Sequence, residues 1–349
     1  MTAIGISQSE INMFDRCRRR WLQEYYFGML PADPNPASTR DQGLRWHTAM
    51  EAHYGPAHLD PGFVLDVLYG MAVEQYPDSE TDLRKAHELA RIMAEGYLEI
   101  VAAEGWDARL KVIEPEAEVR VPLPGWEGLV DLRAKLDQVV YDEDSGLYSF
   151  LDHKTAADYE RDEMIDLDSQ MLMYSLIAWL ATQQTVPMPG WAPEIDRSKP
   201  LVMGGIVRTS RRVKRTAKTK IPPYKNLAFR HDPEQLASAL LRTQKIVSEI
   251  MEVRQQLDAA ARSGGPPEQL HWLQLTAARP TPILHDCARM CPLASGQCQL
   301  MNRGLGWIDA LWKSGRYVSG DPYARYTRAG LEVIQAHLAA KARTDGQPG

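Results

Sequence analysis

Cysteine is scarce in this sequence: four residues in 349, one at position 17 and three between 287 and 298. No apolar run approaches the ~20 residues needed to cross a bilayer; the longest lies around SLIAWLA. There is no excess of positive charge either. Forty Lys and Arg stand against 46 Asp and Glu, for a formal net charge of −6 and a pI near 5.9. That balance excludes a protein coated in positive charge for nucleic acid, although not a local basic patch. The start, MTAIGISQSE, lacks a basic segment followed by an apolar one, so no secretory signal is expected. A cytoplasmic protein is expected, with no membrane partner. Disulfides are rare there, which leaves metal ligands, catalytic groups or core residues as the uses for four cysteines.

What is present suits a folded chain. Hydrophobic residues make up 44% and charged residues 25%, enough apolar material for a sizeable core. Length allows one large domain or two. The stretch SQSEINMFDRCRRRWLQEYYF has apolar residues at helical spacing, with Ser7 and Glu10 placed as a capping box. One helix is expected there, with Cys17 turned inward. Further helices are expected at about 42–54 and 82–104. The period then changes, and strands are expected at about 115–122, 127–141 and 147–153, with DEDSG as a turn between the last two. A helix at about 167–183, a strand in LVMGGIVR and a long helix from Asp232 to Arg262 follow. Pro233 stands at the first position of that last helix.

The most informative stretch is AKLDQVVYDEDSGLYSFLDHKTA. Residues two apart on a strand share a face, so Asp152 and Lys154 project together, and a hairpin partner brings Asp137 beside them. Two converging carboxylates need a cation to offset their repulsion. Mg²⁺ suits them because it is hard and prefers oxygen ligands, and the His153 carbonyl is a further oxygen donor. The lysine can orient or deprotonate water, or neutralise charge developing on a phosphate. Surface charge at strand ends, with Lys154 paired to Asp152, is the plain alternative for an isolated Asp-x-Lys. Gln170 and Tyr174, four apart on the next helix and so on one face, weigh against it. His47 upstream does too, although Glu51, one turn on, is a simple pairing partner for it.

The segments FDRCRRRW, GLRWH, KLDQVV, FLDHKT, QMLMY and CARMCPLASGQC, in that order, resemble the RecB-like branch of the PD-(D/E)XK nuclease superfamily. That branch includes phage recombination exonucleases and CRISPR-associated nucleases. The resemblance implies an α/β fold whose mixed central sheet is flanked by helices. A helical region would cover 1–110, the nuclease core 111–231, and a helix with an iron–sulfur segment 232–349, all in one integrated domain. It implies a Mg²⁺- or Mn²⁺-dependent DNA exonuclease, with a phage or prophage recombination role and a single-strand annealing protein as a partner. A CRISPR-adaptation nuclease is the rival enzyme, and a nuclease-inactive DNA-binding scaffold the rival from another class. Carried over, His47 is a metal ligand or phosphate contact, Asp137 and Asp152 bind metal, and Lys154 is catalytic. Gln170 and Tyr174 support the lysine and the DNA backbone. Asp131, in GLVD, competes with Asp137. The fifteen-residue gap from Asp137 to Asp152 suits a compact hairpin and favours Asp137.

Cys287, Cys291 and Cys298 have three and six residues between them, close enough for one cluster, with Cys17 as the fourth ligand. Zinc and iron–sulfur clusters both accept four thiolates, but the paired C-x-x-C knuckles common in zinc sites are absent. The resemblance implies a 4Fe–4S cluster, with zinc as the alternative. This triplet is spaced more widely than in the family, which often uses two and five, and Arg18 stands where proline often follows the first cysteine. Residues 208–230 carry nine Lys or Arg and no Asp or Glu. Arg208, Arg211, Arg212, Lys214, Arg215, Lys218 and Lys220 are the candidate DNA contacts, against a plain solvated loop.

Overall fold

Strand β1 (Ile4–Ser7) leads directly into helix α1 (Gln8–Arg16), whose first turn is capped by the Ser7 hydroxyl, accepting from the Glu10 amide at 3.3 Å. The computed structural model describes residues 3–32, 35–144, 146–157, 162–183, 203–212, 223–277, 304, 306–323 and 330–345. The chain divides into two units. The first comprises Met1–Pro34, Pro122–Arg133 and Ala237–Arg325; the second comprises Asn35–Val121, Ala134–Leu236 and Tyr326–Gly349.

In the first unit the expected long helix is broken. Cys17 leaves helical geometry (φ −156°, ψ 97°), α2 (Arg18–Trp21) restarts beyond it, and a π-helical turn covers Leu22–Tyr26. The reason lies in Glu10. Its carboxylate is fully buried and accepts from Trp21 Nε1 at 2.9 Å and Arg254 Nη2 at 2.9 Å, as well as from the Tyr323 hydroxyl. Eleven residues of unbroken helix would put Trp21 about 16 Å along the axis from Glu10, out of reach. The break folds Trp21 back, and its ring meets Phe14 edge-on at 5.0 Å. The capping box is therefore half made: Ser7 caps, while the Glu10 side chain serves the core instead. Cys17 is only half-buried at the break, not turned fully inward. Two short strands, β1 and β2 (Met29–Pro31), lie in the region expected to be helical, and β2 pairs antiparallel with β8 (Tyr317–Ser319). β1 runs parallel to residues 130–133. Helices α8 (Pro267–Ala277) and α9 (Trp307–Lys313) join through Trp307 Nε1 donating to Gln274.

The second unit carries a mixed sheet in the order β3–β4–β5–β6–β7: β3 (Leu110–Pro122), β4 (Val130–Asp142, of which 134–142 belong here), β5 (Leu147–Ala156), β6 (Met203–Arg211) and β7 (Tyr224–His231). β4–β5 and β6–β7 are antiparallel and β5–β6 parallel. A parallel pair needs a crossover, and α6 (Ser169–Gln183) lies on it and packs against β6. α3 (Thr39–Tyr54) packs on β5, and α5 (Glu80–Glu104) on β6. Trp46, Met50, Leu65, Met93, Tyr97 and Tyr224 form one core of this unit; Val140, Leu151 and Ile206 form another across three strands. Helix α4 (Pro61–Gln75), which the sequence reading left unassigned, starts on an Asp60 cap with proline at its first turn, a signal present in the sequence. α10 (Gly330–Asp345) adds Ile334 to the first core, and α7 (Pro233–Arg262) begins in this unit. Among the described residues no helix is long and apolar enough to cross a membrane.

Candidate metal centre

The β4–β5 ladder runs from Asp142–Leu147 to Gln138–Leu151 and stops there. The next residue on each strand is a carboxylate, Asp137 on β4 and Asp152 on β5. Asp137 Oδ2 accepts the backbone N–H of His153 at 2.7 Å, so a side chain occupies the place of the next ladder bond. The two acids thus converge where the strands part, with Lys154 following two residues along β5.

His47, on α3, enters from the helical side: its Nδ1 lies 3.1 Å from Asp137 Oδ2. Glu51, the simple alternative partner, instead takes backbone contacts from Gly330 and Leu331. Burial alone would lower the His47 pKa, but the charges of Asp137, Glu116 and Asp152 raise it to about 9. Asp137 responds in kind. Burial would raise it, yet His47 and the His153 amide hold it below the usual carboxylate range. Asp152 goes the other way: burial first, then the charge of Asp137, push it up to about 7.

Lys154 meets a different carboxylate from the one expected, Asp168. Its Nζ lies 2.9 Å from Asp168 Oδ2, while Asp168 Oδ1 accepts the Gln170 and Met171 amides at 2.7 and 3.2 Å and so caps α6. The Gln170 amide donates to Asp152 Oδ1 at 3.3 Å and to the Tyr174 hydroxyl at 2.8 Å; that hydroxyl donates to the Lys135 carbonyl at 3.2 Å. The helix pair of Gln and Tyr therefore bridges the two acidic strands.

Sequence reading missed several residues here. Glu116, on β3, has its carboxylate grouped with His47 and Asp137, the three ligand atoms within 4.8 Å of one another. Its backbone is left-handed (φ 52°), a conformation costing a non-glycine residue about 1–3 kcal/mol and concentrated at functional sites. Burial and the charge of Asp137 raise its pKa to about 7, and Lys135 Nζ lies 2.7 Å from it. The alternating glutamates of EPEAEV put it on one strand face, but only β3–β4 pairing brings it to Asp137. Asp168 carried a readable signal, a cap residue just before a helix; its reach to Lys154 did not.

The residues fit a hard divalent cation. Asp152 Oδ2 is buried and has no hydrogen-bond partner among the described residues. A buried carboxylate oxygen left so is costly, and a cation beside it removes that cost. The donors are mainly carboxylate oxygens with one imidazole, the set that suits Mg²⁺ or Mn²⁺.

Two other sets fare differently. Arg208 is not a nucleic-acid contact in this fold: it sits on β6, 1% exposed. Its guanidinium donates to Asp107 at 2.6 Å, Tyr97 at 3.0 Å, Tyr54 at 3.2 Å and the Trp106 carbonyl at 3.1 Å. Its charge is consumed in holding Tyr54 and Tyr97, which pack on the buried His153 ring. Burial lowers the pKa of that ring to about 3, so it is neutral and accepts from the Gln138 amide. Arg211 and Arg212 end the strand, with Arg212 donating its amide to the Ala156 carbonyl at 2.8 Å. Lys214, Arg215, Lys218, Lys220, Cys287, Cys291 and Cys298 lie outside the described residues. Asp131 belongs to the first unit, paired with Gly5 of β1.

A mixed sheet with two acids at a strand fork, a lysine beside them and a Gln–Tyr helix behind is the framework of a metal-dependent phosphodiesterase. The chain belongs to the PD-(D/E)XK nuclease superfamily, whose family model matches residues 5–295. Comparison with curated proteins gave no match.

Proposed function

We propose that this protein is a Mg²⁺- or Mn²⁺-dependent DNA exonuclease of the RecB-like branch, acting in phage recombination or related DNA processing. The observation that carries the hydrolytic chemistry is the convergence of Asp137 and Asp152 at the end of the β4–β5 ladder, with Lys154 on the same strand. Asp137, Asp152 and the His153 carbonyl would hold the cation, with His47 and Glu116 beside them. The cation, when bound, supplies Lewis acidity at the scissile phosphate and a more acidic water.

The chain's own residues do the rest. Asp168 holds the Lys154 ammonium, where it can steady charge on a phosphate oxygen or guide a water. Gln170 fixes Asp152, and Tyr174 ties Gln170 to β4. Arg211, Arg212 and the basic residues after them would guide the strand electrostatically. Cys17, Cys287, Cys291 and Cys298 would hold a 4Fe–4S cluster as a structural staple.

The test is cleavage of end-labelled single- and double-stranded DNA with Mg²⁺ and with chelator. Asp152→Asn, Asp137→Asn and Lys154→Met should each lose activity by at least ~10²-fold, the scale for a positioned acid–base group. Asp131→Asn should be milder. Metal-independent cleavage, or Asp152→Asn at the wild-type rate, defeats the metal-site reading. Cleavage confined to internal positions defeats only the exonuclease part.

A further inference from the structure

Beyond the end of the β4–β5 ladder at Gln138–Leu151, two bonds of another kind hold the strands. One is the His153 amide on Asp137 Oδ2 at 2.7 Å. The other lies on the opposite face of the sheet, to which alternation turns both Gln138 and His153. There the Gln138 amide meets His153 Nε2 at 2.9 Å, and both residues are 1% exposed.

The ring is boxed in. Tyr54 stacks on it with centroids 5.7 Å apart, and Tyr97 meets it edge-on at 5.8 Å. The two tyrosine hydroxyls lie 2.7 Å from each other. Arg208 is the register partner of His153 on β6, so it shares that face, and it donates to both hydroxyls. Asp107 closes the set, accepting from Arg208 and from the Tyr54 hydroxyl.

Packing does not account for the polar pair inside this box. Gln138 Oε1 and His153 Nδ1 are buried and have no hydrogen-bond partner among the described residues, and each such group costs stability. A leucine and a phenylalanine would fill similar space without that cost. What the pair supplies is direction. An amide on the ring edge and two aromatic rings against it fix the turn of the imidazole, and with it the peptide whose N–H orients Asp137.

We propose that His153 is a positioning residue: Gln138, Tyr54 and Tyr97 lock its ring so that its backbone N–H holds the Asp137 carboxylate in the geometry that takes the cation. Arg208 and Asp107 act one step further back, by holding the two tyrosines. The proposal rests on the metal-site reading above.

The experiment uses full-length, metal-free protein and three readouts: the melt, hydrogen exchange of the amide at position 153, and Mn²⁺ affinity by calorimetric titration. The main variant combines Gln138→Leu with His153→Phe. Replacing both partners of a buried polar pair by apolar groups of similar shape is close to neutral for stability, so it should melt at or above wild type. Its amide at 153 should exchange faster while those of β7 stay protected, and Mn²⁺ should bind about 10–100-fold more weakly, the scale for groups that orient a metal's ligands. Tyr54→Leu should act in the same direction, and Tyr54→Phe, which keeps the stacked ring, should hold Mn²⁺ more tightly than Tyr54→Leu. Wild-type exchange at 153 or wild-type Mn²⁺ affinity in the folded double variant overturns the proposal. Faster exchange that extends equally to β7 also overturns it, since the network would then be plain core. A wild type that takes up no Mn²⁺ defeats the metal-site reading instead, and the positioning of the 153 peptide then stands or falls on its exchange alone.

Discussion

Lys154 Nζ lies 2.9 Å from Asp168 Oδ2, and the other oxygen of the same carboxylate caps α6 through the Gln170 and Met171 amides. One side chain thus sets both the lysine of the Asp-x-Lys pair and the start of the helix carrying Gln170 and Tyr174. The two roles separate by substitution. Asparagine caps a helix about as well as aspartate but has no charge for Lys154. Asp168→Asn should melt close to wild type while cleavage falls about 10–100-fold, the scale for residues that orient a metal site's ligands. Asp168→Ala should also lose ~1 kcal/mol of stability through the cap. Equal activity in Asp168→Asn and wild type would confine Asp168 to the cap.

The pKa shifts in the centre give the metal-free protein a pH-dependent stability with a definite sign. Asp152 and Glu116 are raised from 3.8 and 4.5 to about 7, and His47 from 6.5 to about 9. A raised group binds its proton more tightly folded than unfolded. Its stabilisation is complete below the unfolded pKa and lost as pH rises through the folded one. Asp137, held low, acts oppositely, but its window lies below 3.8. The melting temperature of metal-free protein should therefore fall between about pH 5 and pH 9 through this centre. Saturating Mn²⁺ should reduce or reverse the fall, since the ion binds the deprotonated acids. Asp152→Asn should flatten the lower part of the curve. A metal-free melt that rises over the same range in wild type and not in Asp152→Asn would contradict these shifts.

How much of this was legible in the sequence depended on the range of each interaction. Periodicity placed β4, β5, α3, α5 and α6 nearly where they lie, because each buries one face or is buried throughout. The hairpin brought Asp137 to Asp152 on paper because both lie beside one short turn. Glu116, Lys135 and Asp168 were not legible in their roles, since each meets its partner through sheet pairing or a crossover that no local spacing encodes. The break at Cys17 is similar: the helical pattern continues through it, and only the buried Glu10 carboxylate, calling in Trp21, Arg254 and Tyr323, ends the helix. Arg208 misled for the same reason. It sits in a basic run, but strand alternation turns it inward onto Asp107.

The basic residues should accordingly split into two classes. Neutralising Arg211, Arg212, Lys214 and Arg215 together should weaken DNA binding and flatten its salt dependence, each lost phosphate contact removing roughly 0.9 from the slope for duplex DNA. Their fold and metal count should be unchanged. Arg208→Met should act on the fold instead. It removes the shared donor of Asp107, Tyr54 and Tyr97; Asp107 is 34% exposed and can be resolvated, so the cost should be on the order of 1.5–3 kcal/mol, the scale of a hydrogen bond to a charged group. Melting curves and salt titrations of both variants check this. An Arg208→Met protein that melts like wild type but shows a reduced salt slope would return Arg208 to the DNA-binding set.

Cys17 occupies the break between α1 and α2, where the chain turns Trp21 back against Glu10 and Phe14. A ligand bond there would fix the turn that the Glu10 cluster depends on. If Cys17 joins Cys287, Cys291 and Cys298 on one cluster, the closed loop is about 270 residues long. By the chain-entropy estimate for cross-links such a loop contributes on the order of 5 kcal/mol. Protein purified without oxygen should then be brown and carry about four irons per chain. Cys17→Ser should release the iron and lower the melting temperature of the whole chain, because the lost constraint acts on the unfolded state and not on one contact. Cleavage should fall with the folded fraction and recover when Cys17→Ser is assayed well below its melt. That recovery separates a staple from a redox group, whose loss would depress the rate in folded protein too. Metal analysis and melting of wild type and Cys17→Ser decide it. Stoichiometric zinc without iron would make the site a zinc centre, and no metal with an unshifted melt would leave Cys17 as a half-buried thiol at a helix break.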